Sequence, residues 1–146
     1  MHAWLDWLPD SQYCFRILTA AVLLCVGAVT SAKAADTRFF ELRIYTTHPG
    51  KLDALNTRFR DHTNRLFVKH GMQLVGYWTP TDGPEAENTL VYILAYPNRA
   101  ARDAAWDAFR KDPDWVKAKD ASEKPGPIVL KVESKFLTPT DYSPIK

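Results

Sequence analysis

TLVYILAY, residues 89–96, decides the fold. Its side chains alternate along a strand, and both sets are apolar. Leu90, Tyr92, Leu94 and Tyr96 occupy one face; Val91, Ile93 and Ala95 occupy the other. A strand with one wet face alternates apolar with polar residues, so a strand apolar on both faces is covered on both. Working back, Pro80 to Asn88 with Gly83-Pro84 reads as a loop, and MQLVGYWT, residues 72–79, as another strand. Gly71 before it is a natural helix stop. The helix it ends carries an apolar stripe Leu52, Leu55, Phe59, His62, Leu66 and runs to His70. Phe39 to Thr46 is the first strand, with Phe40, Leu42 and Ile44 on its apolar face.

Working forward, Pro97-Asn98 opens a helix over Arg99 to Lys111. Ala101, Ala104, Ala105, Ala108 and Phe109 form its small-residue stripe. Asp112-Pro113 starts a short helix carrying Trp115, with Asp112 as cap. Ile128 to Leu137 is the last strand, and the tail from Thr138 is irregular. The order β-α-β-β-α-β predicts an α+β split sandwich: a four-stranded antiparallel sheet, both helices on one face, strands one and three in the middle. The helices cover one face only, yet residues 89–96 need cover on two. We therefore expect a second copy of the chain to pack sheet against sheet, as a homodimer.

The first 34 residues read differently. Ile17 to Val29 is an apolar run of 13 residues followed by Ala32-Lys33-Ala34. That is the length of a secretory h-region with a small-residue cleavage site, shorter than a bilayer span. The expected organisation is a signal peptide over 1–34, a domain over 35–137 and a tail over 138–146, with the product periplasmic or secreted. Contact with a membrane would come only through an uncleaved leader. Both cysteines, Cys14 and Cys25, lie in that leader. The exported part then has no disulfide and relies on its core. The formal charge of +2, from 19 basic and 17 acidic residues, offers no footprint for nucleic acid.

The sequence has no Gly-rich phosphate loop, HExxH, nucleophile elbow or EF-hand loop. Three constellations remain. His62 stands on the core stripe of the first helix, where a buried imidazole could act as a base or be a structural, hydrogen-bonded histidine. His62 and His70 are about 12 Å apart along a helix and cannot share a metal, so no metal site and no cofactor are expected. His70 itself reads as a helix-end cation. Glu41, Arg43, Lys131, Glu133 and Lys135 would meet across the free sheet face. They would serve as ion pairs, or as a carboxylate pocket between subunits with Arg43 as donor. Trp78, Tyr92, Trp106 and Trp115 would fill the core or wall an apolar pocket between sheet and helices.

Several stretches together resemble the NIPSNAP family. They are FFELRIYTTHPGKLDAL (39–55), the His62 region, LFVKHGMQLVGYW (66–78), NTLVYILAYPNRAARDAAWDAF (88–109) and DPDWVKA (112–118). The resemblance implies a ferredoxin-like domain of the dimeric α+β barrel type. It carries no catalytic residue set onto this chain. The leading expectation is an exported dimeric protein that binds a small, mostly apolar molecule, with His62, Trp78, Tyr92 and Trp106 as wall residues. The alternatives are a cofactor-independent oxygenase or isomerase with His62 as base, and a structural or protein-interaction module.

Overall fold

The computed structural model describes residues 38–146. The expected signal peptide and both cysteines lie outside the described residues. Strand β1 is Phe39–Thr47. Helix α1, Leu52–Arg58, passes through a π turn, Phe59–Thr63, into α2, Asn64–Lys69. Strand β2 is Gln73–Trp78 and β3 is Thr89–Tyr96, with a 3₁₀ turn at Pro84–Glu87 between them. Helix α3, Arg99–Lys111, α4, Pro113–Ser122, and strand β4, Val129–Leu137, complete the chain. No described helix is long and apolar enough to cross a membrane.

Local chemistry sets the helix ends. Asn98 caps α3 by accepting a bond from the Ala101 amide at 2.9 Å. Asp112 caps α4 by accepting from the Asp114 amide at 2.9 Å, with Pro113 in the first turn. At the end of α2, Gly71 takes φ 79°, and its amide donates to the Val68 carbonyl while that of Met72 donates to Phe67. Those two bonds and the buried Phe67 and Met72 make a Schellman ending.

The sheet order is β2-β3-β1-β4, antiparallel throughout, with the expected strands in the centre. All helices pack on one face, over Leu90, Tyr92, Leu94 and Tyr96. The register then decides every other strand. Glu41 pairs with Leu94, Arg43 with Tyr92 and Tyr45 with Leu90, so these three β1 residues face the helices. Phe40, Leu42 and Ile44 face the other way, with Ala95, Ile93 and Val91.

The five-charge group is therefore divided. Lys131, Glu133 and Lys135 lie on the free face, whereas Glu41 and Arg43 are inside. Their alternation along β1 is the expected one, but the side that faces the helices is the opposite. Trp78 pairs with Val91 and stands on the free face, 52% exposed, so it does not wall a pocket under the helices. Its ring lies over Gly76, where an added Cβ would meet Trp78 Cη2 at 2.6 Å. The register slips between Leu74 and Gly76, so these two do not share a face as strict alternation predicts. On α3 the buried residues are Ala105, Trp106 and Phe109, so of the expected stripe Ala105 and Phe109 are buried while Ala104 and Ala108 are exposed.

The tail also departs from the expectation that only a second copy would cover the free face. Leu137, Pro139 and Ile145 come against Phe40, Val75 and Ile93, enclosing a cleft of about 350 Å³. Arg38 pins the chain end by donating to the Lys146 carbonyl, and also to Gln73 Oε1 at 3.1 Å. Leu42, Ile44 and Val91 remain only partly buried.

Candidate functional site

The interior of the helix side is built around a carboxylate. Glu41 is fully buried on β1. Arg102 of α3 grips it with two bonds, Nε to Oε2 at 2.8 Å and Nη2 to Oε1 at 2.6 Å. Arg43 donates to Oε1 at 2.7 Å, Trp106 Nε1 to Oε2 at 3.0 Å and the Tyr96 hydroxyl to Oε2 at 3.3 Å. The Ser134 hydroxyl of β4 donates to Oε1 as well. Burial alone would raise the carboxyl pKa. The bonds from Arg102, Ser134 and Arg43 outweigh it and hold the group down to about 2, so it is ionised at neutral pH.

Glu41 in turn fixes Arg43. The guanidinium gives Nη1 to Glu41, Nε to the Tyr92 hydroxyl at 3.0 Å and Nη2 to the Tyr45 hydroxyl at 3.3 Å. It lies over the Trp106 ring at 4.2 Å. Both phenol oxygens are acceptors in these bonds. Burial pushes the Tyr92 pKa well above the ordinary phenol value, so that hydroxyl stays protonated.

Arg43 lines a cavity of about 420 Å³. Tyr45, Phe59, Phe67, Trp106, Phe109 and Trp115 supply its aromatic wall. Arg110, Lys119 and Asp120 contribute charged groups. The rings brace one another: Phe67 meets Phe109 at 4.8 Å and Trp106 at 5.3 Å between centroids, and Phe109 meets Trp115 at 4.5 Å.

The π turn supplies two lining residues, Phe59 and Thr63. Its i→i+5 bond runs from the Asn64 amide to the Phe59 carbonyl, and Thr63 Oγ1 donates to the Arg58 carbonyl at 3.1 Å. The extra residue in this turn moves the inward position from 62 to 63. Leu55, Phe59, Thr63 and Phe67 are buried, and His62 is exposed. It borders a separate groove of about 360 Å³ with Arg58, Ala118 and Ser122. His62 is thus neither a core residue nor a wall of the aromatic cavity, and a base for a substrate held there cannot be His62.

Of the residues expected to form a site, Arg43, Trp106 and Trp115 line the cavity, and Tyr92 lies beneath it, holding Arg43. Trp78 and His62 are elsewhere. Sequence reasoning missed Glu41 as the organiser, and Tyr45, Phe59, Phe67 and Phe109 as walls. A signal existed in the four-residue spacing of Leu55, Phe59, Thr63 and Phe67. His70 stands at the end of α2, where its Nε2 lies 2.7 Å from Asp112 Oδ2 and Lys69 Nζ also binds that oxygen at 2.7 Å. Among the described residues, no three His, Cys, Asp or Glu side chains converge on a metal position.

The NIPSNAP family matches residues 40–144 of this chain. Protein NipSnap homolog 3A of Homo sapiens is 32% identical over 97 residues, 66% of this chain and 38% of that protein. The chain spans about two-fifths of the length of the curated relatives it matches. A solved NIPSNAP family protein from Agrobacterium tumefaciens is similar at a TM-score of 0.66 and 24% identity, over 77% of this chain and 96% of that one. SnoaB, a cofactor-independent oxygenase from Streptomyces nogalater, shares the fold alone, with a TM-score of 0.50 and 16% identity over 75% of this chain and 99% of that one. With its ferredoxin-like domain matched from residue 40 to residue 144, this chain belongs to the NIPSNAP family.

Proposed function

We propose that this protein binds a small, mostly apolar molecule in the aromatic cavity between its sheet and helices. The observation that carries the reading is the cavity itself: about 420 Å³, with six aromatic walls and the fixed guanidinium of Arg43 among its few polar groups. Volumes of a few hundred Å³ with apolar walls and few polar groups are the mark of small-molecule sites. The working form proposed is an exported homodimer joined through the free sheet faces. Support comes from Leu42, Ile44 and Val91, which the single chain leaves partly exposed beside the ring of Trp78. The tail shields only the Phe40 and Ile93 side of that face.

Native mass spectrometry of freshly purified protein from an exporting host tests both halves. The expected spectrum shows two copies without the first 34 residues, and a small compound released on denaturation. A bare monomer that takes up no added apolar compound would overturn the reading.

A further inference from the structure

The cavity is not neutral toward the apolar molecules that could enter it. We infer that its ligand is an anion: a flat, apolar acid whose carboxylate, or an equivalent oxyanion, docks on Arg43 and the Tyr45 hydroxyl inside a single subunit. This rests on the binding reading above and narrows it.

Counting donors leads to this conclusion. A guanidinium has five N–H groups. Arg43 uses one each on Glu41, Tyr92 and Tyr45. Two N–H groups are left, on a side chain that lines the cavity. Tyr45 lines it too, and its oxygen accepts from Arg43, so its own proton is free to be given. The neighbouring Tyr92 hydroxyl is hydrogen-bonded to Tyr45, and with Tyr92 as the donor in that bond the Tyr45 proton has, among the described residues, no partner of its own. What this end of the cavity lacks is an acceptor, and an ionised one binds such donors more strongly than a neutral one.

Charge points the same way. One buried carboxylate, Glu41, serves two guanidiniums. Arg102 has a second carboxylate, Asp103, at 3.0 Å on the outside; among the described residues Arg43 has only its share of Glu41. Lys119 and Arg110 also line the cavity, but each has its own carboxylate, Glu123 at 3.9 Å and Asp107 at 2.5 Å, so the under-matched cation is Arg43. The geometry is also fixed beforehand. Glu41 holds Arg43 from behind and Trp106 stacks against it, so little side-chain entropy is lost when an oxyanion arrives. The aromatic walls suit a flat body attached to that charged end. The anion site expected between subunits is thus relocated, with the same arginine, to the helix side of one sheet.

Naphthoate and its neutral isostere naphthamide form the test, titrated into the full-length dimer or monomer as purified. The indole N–H resonance of Trp106 reports on the cavity. Naphthoate is expected to bind about tenfold or more tighter than naphthamide, shifting that resonance. Arg43→Gln should abolish the preference. Because losing Arg43 removes one of the two guanidiniums on the buried Glu41 and so weakens the fold, Tyr45→Phe serves as the second variant. It should keep the fold and reduce the preference several-fold. Equal affinities with the Trp106 signal shifted would overturn the anion inference and leave the cavity reading intact. No shift from either compound would overturn both. A preference unchanged in the folded Tyr45→Phe and Arg43→Gln proteins would place the anion elsewhere and end this assignment.

Discussion

Replacing Glu41 with Ala is expected to lower the unfolding free energy by about 3–5 kcal/mol, the usual cost of removing one partner from a buried ion pair. The carboxylate is fully buried and takes bonds from Arg102, Arg43, Trp106, Tyr96 and Ser134. Without it, two guanidiniums, each with less than a sixth of its side chain exposed, face each other with no charge between them. Glu41→Gln should cost less, since the amide keeps the volume and one acceptor oxygen, but it cannot neutralise either arginine. Urea unfolding at neutral pH, followed by circular dichroism, measures both.

The same group sets an acid limit. Its pKa is about 2 in the fold against 4.5 for an ordinary glutamate. Its contribution is therefore complete above about pH 4.5 and is lost as pH falls toward 2. After allowance for screening by nearby water, the amount is on the order of 2 kcal/mol. The Glu41→Ala protein should lack that part of the acid descent. A variant within 1 kcal/mol of the parent, or one with the same acid profile, would show that Glu41 is not the organiser of the interior.

The strand at residues 89–96 and its need for cover on both faces were legible because both of its side-chain sets are apolar. Segment order and handedness then leave few arrangements. The face of β1 was not legible by the same logic. Phe40, Leu42 and Ile44 look like the inner set, and Glu41, Arg43 and Tyr45 like the outer one. The fold reverses this, because the polar set forms a satisfied network under the helices while the apolar set faces the free side. Where a local rule fails and the structure compensates in this way, a functional site is the expected cause. His62 failed for a different reason. A stripe spaced 3, 4, 3, 4 assumes an unbroken α-helix, and the π turn at Phe59–Thr63 advances the register by one residue. Trp78 was misplaced because the register slip between Leu74 and Gly76 carries it from the face of Leu74 to the opposite one, and alternation along the sequence does not show such a slip.

Phe67→Ala is expected to be about as costly as the Glu41 change, about 3–5 kcal/mol, through loss of packing rather than charge. Phe67 is buried on α2 and meets the rings of Phe59, Tyr92, Trp106 and Phe109. It also closes the end of α2 through the Schellman bond to Met72, which the alanine would keep because the bond uses the backbone. The loss should fall at the lower end of the range, since the site borders an open cavity that already separates some of its neighbours. Two features distinguish it from Glu41→Ala. The Phe67→Ala deficit should be nearly constant with pH, whereas that of Glu41→Ala should shrink below pH 4.5 as the parent loses its own carboxylate. The two changes should also couple, because Phe67 packs against the ring whose Nε1 binds Glu41. Losing either loosens Trp106, so the double variant should be less damaged than the sum of the two single losses. Strict additivity within about 0.5 kcal/mol would mean that Trp106 does not connect the aromatic wall to the charged floor. The cavity would then be two independent features and not one binding site.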